Sequence, residues 1–272
     1  MFTQSVRYLI VPPDAAGYHD VNKALEEVSM RKCALIMIMI LMTVYVYAGE
    51  SVDYSADGKI YEGYYSSVSG KAPLVLIIHD WDGLTDYEIK RVEMLNKLGY
   101  SAFAADMFGK GVRPVELEDK KRLTGELYAD RAKMRMITQA AFDKAKALGA
   151  NTGSAVMIGY CFGGTVTLEY ARSGAPLKSF ISFHGGLDTP QGQNYSGTAG
   201  EVVIFHGTAD TAVSMNDFAK LAVELESAGV KHEMHTYSGA PHAFTVFGSP
   251  SYRKDADEKS WARFTEYLKE VF

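Results

Sequence analysis

The run Ala155-Val-Met-Ile-Gly159-Tyr160-Cys161-Phe162-Gly163-Gly164 decides the fold. Four apolar residues lead into a glycine, a cysteine stands two positions later, and glycines open the helical stretch Gly163 to Arg172. This is the G-x-nucleophile-x-G pattern of a sharp strand-to-helix turn. The reversal is so tight that a side chain at either flanking glycine would strike the neighbouring strand or helix. Such a turn pushes the central side chain out at the carboxyl end of a sheet. It also sets that side chain at a helix N-terminus, where free N–H groups and the dipole favour a thiolate. Cys161 is therefore read as a nucleophile, its plain alternative being a buried cysteine beside a packing turn. A dinucleotide-binding fingerprint is excluded, because G-x-G-x-x-G needs glycine where Cys161 stands.

On both sides of this turn, strand and helix patterns alternate. Val52 to Tyr65 alternates around Asp57-Gly58, a pair suited to a β-hairpin. Pro73 to His79 is an uninterrupted apolar strand, which implies burial on both faces, as in a parallel sheet. A helix (Asp86 to Leu98), a strand (Tyr100 to Ala105) and one long helical region (Glu116 to Leu148) lead to the strand Ala155 to Tyr160. Beyond the turn come strands Lys178 to His184 and Glu201 to His206, a helix Met215 to Ala228, a strand His232 to Tyr237 and a closing helix Asp255 to Val271. The alternation predicts one α/β domain over residues 49–272, a mostly parallel sheet wrapped by helices on both faces. No internal repeat or low-complexity linker divides it.

A nucleophile on such a turn needs a base and an acid that orients the base, and in this architecture the acid comes first in the chain. Val202 to His206 runs into Gly207-Thr-Ala-Asp210, which sets a carboxylate just past a strand's carboxyl end, so Asp210 is the acid candidate. Tyr237-Ser-Gly-Ala-Pro241-His242 places a histidine in a loop at the same edge, and His242 is the base candidate. His184, His206, His232 and His235, within or at the ends of strands, are read as structural or solvated. A tetrahedral oxyanion needs two donors, here the N–H of Phe162, directly after the nucleophile, and that of Trp81 in the loop His79-Asp80-Trp81-Asp82-Gly83. Asp80 adds a carboxylate to that pocket, either within reach of the thiol or capping its own loop.

The composition narrows the function classes. The chain has 272 residues, 47% of them hydrophobic, which suits one sizeable core and excludes disorder as the main state. Lys and Arg number 28 against 33 Asp and Glu, a net charge of −5 without blocks of either sign, so no nucleic-acid partner is expected. Two cysteines, Cys33 and Cys161, are too few for a disulfide scaffold, and CxxC or HExxH spacing is absent; neither a metal nor an organic cofactor is expected. Arg31-Lys32, the apolar run Cys33 to Met42 and the small-residue site Val46-Tyr47-Ala48 read as a signal peptide over residues 30–48, cleaved before Gly49 in an exported, periplasmic or secreted protein. The run is shorter than the roughly 20 residues that span a bilayer, so no membrane span is expected after processing. Residues 1–29 form an upstream segment to which no role is assigned. The processed chain keeps a single cysteine and is expected to be a monomer.

From roughly Tyr54 to Phe272 the chain resembles the dienelactone hydrolase family of the α/β-hydrolase fold. The motifs that carry the resemblance are Gly159-Tyr-Cys161-Phe-Gly-Gly164, His206-Gly-Thr-Ala-Asp210 and Pro241-His242-Ala-Phe244. The resemblance implies a Cys161-His242-Asp210 triad that opens an enol-lactone through an acyl-enzyme. It also implies that Asp80, which matches a glutamate of the best-studied members, gates ionisation of the thiol. Lys110, in Asp106-Met-Phe-Gly-Lys110-Gly111, matches a basic substrate-binding position. Where the family sets an arginine four residues after the catalytic histidine, this chain has Val246, and Ala243 replaces a serine directly after it. The expected function is cysteine-dependent hydrolysis of small esters or lactones. The alternatives are a thioesterase or broad carboxylesterase on the same triad, or a binding protein that keeps the fold without turnover.

Overall fold

Asp57 and Gly58 both take positive φ, 50° and 68°, the conformation of a two-residue turn whose twist matches a β-hairpin. They join β1 (Glu50–Ala56) to β2 (Lys59–Ser66) in antiparallel register, with Ala56 opposite Lys59. The computed structural model describes residues 49–272; the upstream segment 1–29 and the signal peptide 30–48 lie outside the described residues.

Six further strands follow: β3 (Pro73–Ile78), β4 (Ser101–Ala105), β5 (Asn151–Tyr160), β6 (Ser179–Phe183), β7 (Glu201–Gly207) and β8 (His232–Tyr237). Together the eight form one sheet in the order β1-β2-β4-β3-β5-β6-β7-β8. From β4 to β8 every pairing is parallel, while β1 and β2 form an antiparallel edge. Parallel strands need crossovers, and all but the β6–β7 connection run through helices: α1 (Asp86–Lys97), α2 (Leu117–Ala129), α3 (Arg131–Ala147), α4 (Phe162–Arg172) and α5 (Met215–Ser227), with α6 (Lys254–Val271) closing the chain after β8.

The long helical region expected over 116–148 consists of two helices. Asp130 leaves helical geometry (φ −119°, ψ 81°), and its carboxylate accepts the Lys133 N–H at 2.9 Å, capping α3. A short acidic side chain satisfies the first N–H groups of a helix better than it fits a helix interior, so the break falls there.

Burial follows the pleat. Leu74, Leu76 and Ile78 of β3 point to the face covered by Met134, Ile137 and Ala141 of α3 and Val166 of α4, whereas Val75 and Ile77 pack with Val92 and Leu95 of α1 and Phe264 and Leu268 of α6. Each such side chain, fully buried, contributes about 1.5–3 kcal/mol. The result is a three-layer α/β domain. Its parallel strands all end at one edge, and loops from β3, β5, β7 and β8 meet there.

Candidate active site

At the end of β5 the chain turns through Cys161, whose φ of 52° and ψ of −113° lie in a region that costs a non-glycine residue on the order of 1–3 kcal/mol. The flanking glycines make the turn possible. A Cβ on Gly159 would stand 2.0 Å from the Gly163 carbonyl oxygen, and one on Gly163 would stand 2.3 Å from that of Ile78. Cys161 thus sits at the N-terminus of α4 with its side chain half-exposed in a cleft at the sheet's carboxyl edge.

His242 and Asp210 reach the same point from later loops. The Nε2 atom of His242 lies 3.0 Å from Cys161 Sγ, and its Nδ1 lies 2.8 Å from Asp210 Oδ2. The Asp210 carboxylate also accepts the N–H groups of Ala212 and Val213 at 2.8 and 2.9 Å, which fixes its plane. Burial alone would raise the pKa of Asp210, but the hydrogen bond and charge of His242 outweigh it and hold the carboxyl below its usual range. Burial likewise opposes a charge on His242, yet its bonds to Asp210 and Cys161 push it up to about 10. Asp210 therefore accepts the Nδ1–H, and Nε2 is the nitrogen that faces sulfur.

The backbone donors are set by a buried histidine to which sequence reading assigned no role. His79, fully buried, bonds the Asp80 carbonyl through Nδ1 and accepts the Met107 N–H at 2.9 Å through Nε2. A trans peptide carries its N–H antiparallel to its C=O, so fixing the Asp80 carbonyl also fixes the Trp81 N–H. Among the described residues, no acceptor is bonded to the N–H of Trp81 or of Phe162, and both residues line the cleft with Cys161 and His242.

Asp80 and Lys110 stand differently. Asp80 is buried, and its Oδ1 accepts the Asp82 N–H at 2.7 Å, which makes it a cap of its own loop. Burial pushes its carboxyl up to about 6, and its charge is felt at His242; no hydrogen bond joins it to Cys161. Lys110 is outside the cleft. Its ammonium is held by Asp53 at 2.7 Å and Glu62 at 3.2 Å on the β1–β2 hairpin.

Behind Cys161 and His242 runs a buried polar chain that the sequence did not disclose. The Cys161 N–H lies 3.2 Å from His184 Nδ1, and His184 Nε2 lies 2.8 Å from the Thr245 hydroxyl. That hydroxyl is 2.7 Å from Tyr87 Oη, which accepts from Arg91 Nε at 3.3 Å, and Arg91 is paired with Asp257 of α6. Burial holds His184 well below the usual histidine range, so it is neutral with its proton on Nε2. His184 thus lies directly behind Cys161. Its link to Thr245, three residues after His242, ties the loops that carry Cys161 and His242 together. The remaining walls of the cleft, about 260 Å³ in volume, are Tyr128 of α2, Gly186, Ala212 and Val213.

A mostly parallel, doubly covered sheet with a cysteine on the strand-to-helix turn and a histidine and aspartate on later loops defines an α/β hydrolase. The chain belongs to the dienelactone hydrolase family, whose sequences match residues 61–272. A dienelactone hydrolase-like promiscuous phosphotriesterase from metagenomic libraries is 30% identical, with a TM-score of 0.77 over 83% of this chain and 98% of that one. A protein of Escherichia coli (strain K12) that carries the provisional name carboxymethylenebutenolidase is 23% identical over 213 residues, 74% of this chain and 78% of that protein. A thermophilic esterase from Thermogutta terrifontis shares the fold, at 19% identity and a TM-score of 0.60 over 84% of this chain and 96% of that one. The protein is thus a hydrolase of the dienelactone hydrolase family, acting on small molecules. Among the described residues, no helix is long and apolar enough to cross a membrane.

Proposed function

We propose that the protein hydrolyses small esters or lactones through an acyl-enzyme on Cys161. The observation that carries this reading is the line of contacts Sγ–Nε2 at 3.0 Å and Nδ1–Oδ2 at 2.8 Å, opening on one cleft. In the first half-reaction the sulfur adds to the carbonyl carbon with its proton held on His242 Nε2, and Asp210 stabilises the imidazolium. The N–H groups of Phe162 and Trp81 hold the oxyanion. Collapse expels the alkoxide, which takes the proton from Nε2 and leaves a thioester. Water then adds to the thioester with Nε2 as base, and the thiol and a carboxylic acid are released. Every step uses side chains and backbone of this chain, with no metal or organic cofactor.

The test is mass spectrometry of the protein quenched during turnover of an activated ester. An acyl group on the Cys161 peptide that disappears as substrate runs out is the expected result. Cys161→Ala and His242→Ala should each lose nearly all kcat/KM, Asp210→Asn somewhat less, and the triple variant little more than the worst single, because the residues share one proton path. Full activity in Cys161→Ala refutes the nucleophile. Faster turnover of thioesters than of matched oxygen esters would move the assignment to a thioesterase, and acylation without release would make the protein a binder. The same reading has the protein exported after cleavage between Ala48 and Gly49 and active as a monomer; the N-terminus of the secreted protein and its sedimentation mass check both.

A further inference from the structure

At the far end of α4, three guanidiniums share one carboxylate. Glu169 is fully buried; its Oε1 lies 2.5 Å from Arg135 Nη1, and its Oε2 lies 3.0 Å from Arg172 Nη2 and 3.8 Å from Arg131 Nη1. The group is positive in excess, and a guanidinium does not lose its proton in a protein. Burial pulls Arg131 below its ordinary range, and the charges of Arg172 and Arg135 work in the same direction against Glu169. Two further carboxylates are felt by neighbouring tyrosines, Asp143 at Tyr170 and Glu224 at Tyr195, but both are engaged elsewhere, by Gln139 at 3.0 Å and by the Thr189 hydroxyl at 2.5 Å.

Part of this network is structural. The β6–β7 connection has no helix, and α4 clasps it through Arg172, whose Nε donates to Gln193 Oε1 at 2.8 Å and whose Nη1 donates to Tyr195 Oη at 2.7 Å, while Gln193 Nε2 returns to Glu169 at 3.1 Å. One guanidinium and one carboxylate complete that clasp. Arg131 has a second duty, over the Tyr128 ring at 5.0 Å. Arg135 has none: among the described residues its guanidinium bonds to Glu169 alone, and its other N–H donors are unused. It lines a cavity of about 330 Å³ with Arg172, Gln193, Asn194, Ser196 and two glycines, and no acidic side chain is on that wall. Asn194 Oδ1 accepts the N–H and the hydroxyl of Ser196 at 2.9 and 2.5 Å, which fixes the amide and leaves its NH2 group unbonded. A planar fork of guanidinium donors beside an amide NH2, with no carboxylate to compete, is the chemistry that holds a tetrahedral oxyanion.

We infer that this cavity is a second binding site, taking a small doubly charged oxyanion of the phosphate class, either the free ion or the phosphate group of a metabolite. It is separate from the cleft. Helix α4 begins at Phe162, on the cleft wall, and ends at Arg172, on the cavity wall, about 15 Å away at 1.5 Å per residue. Arg172 is almost fully buried, so salt screens its charge less than that of a surface cation. The site stands whether or not Cys161 is a nucleophile.

The test is calorimetric titration of the full chain with inorganic phosphate at mildly alkaline pH and an ionic strength of about 0.15 M, after alkylation of Cys161 with iodoacetamide to fill the cleft. Saturable binding of one phosphate per chain is expected, with acetate at least about tenfold weaker. Arg135→Gln, which leaves Glu169 its bonds to Arg172 and Gln193, should abolish the binding. Asn194→Asp keeps the shape and the acceptor for Ser196 but adds a carboxylate to an exposed wall position. It should weaken phosphate by about tenfold or more with the unfolding midpoint unchanged, and it serves even if Arg135→Gln fails to fold. Glycerol phosphate, titrated in parallel, identifies the source: whichever of the two binds tighter is the form the site serves. No saturable binding at this ionic strength, equal binding of acetate, an affinity unmoved by Asn194→Asp, or binding that appears only when Cys161 is left unalkylated would each overturn the inference.

Discussion

Thr245 is where the buried polar chain behind Cys161 can be broken most cleanly. Thr245→Val keeps the shape and removes only the hydroxyl, so no cavity opens. His184 cannot adapt, because its Nδ1 must stay unprotonated to face the Cys161 N–H at 3.2 Å. Its Nε2–H, 2.8 Å from the lost oxygen, is then a buried donor without a partner, which costs about 1–3 kcal/mol. The lost contact with Tyr87 at 2.7 Å adds about 1 kcal/mol, since that hydroxyl keeps Arg91 as a partner. A loss of about 2–4 kcal/mol is a large part of the 5–15 kcal/mol that holds a typical domain together. Thr245→Ser, which keeps the hydroxyl and drops one methyl, should cost about 1 kcal/mol. Hydrogen bonding therefore ranks serine above valine, whereas packing alone ranks valine above serine. Urea unfolding at constant slope, read by circular dichroism, gives both numbers. A valine variant as stable as the parent, or more stable than the serine variant, would refute the role of the hydroxyl.

Gly159→Ala places a methyl 2.0 Å from the Gly163 carbonyl oxygen and should destabilise the protein by about 3 kcal/mol or more, seen as a lower unfolding midpoint. Asp80, raised by burial from an ordinary 3.8 to about 6, binds its proton more tightly folded than unfolded, so it removes stability as pH climbs through that window. Asp80→Asn should flatten the fall in unfolding free energy between about pH 4 and 6, and an unchanged slope would count against a buried, isolated carboxyl. His242, raised from 6.5 to about 10, acts with the same sign in a higher window: its stabilisation is complete below 6.5 and is lost as pH rises through about 10. His242→Asn should abolish that alkaline loss in unfolding experiments across the range.

Much of this protein is settled by local pattern. Glycines two before and two after Cys161 demand a tight turn whatever lies elsewhere, because the clash they avoid is with the chain's own next strand and helix. Continuous apolar runs demand a sheet covered on both faces, and a parallel sheet collects its strand ends at one edge. That is why the order Cys161, Asp210, His242 was enough to expect a meeting that the structure completes at 3.0 and 2.8 Å, across 81 and 32 residues of chain. Tertiary structure decided what surrounds the meeting point. Lys110 follows a strand as a binding residue would, yet the hairpin brings Asp53 and Glu62 against it and takes its charge away from the cleft. Asp80 stands in the expected loop, yet its carboxylate turns to its own backbone. Tyr128 arrives from a helix with no signal of its own, and the path from Asp257 through Arg91 and Thr245 to His184 joins residues up to 166 apart. Steric rules of the backbone act between near neighbours and can be read from sequence. The charge and walls of a cleft are sums over side chains from many elements, and they exist only once the chain has folded.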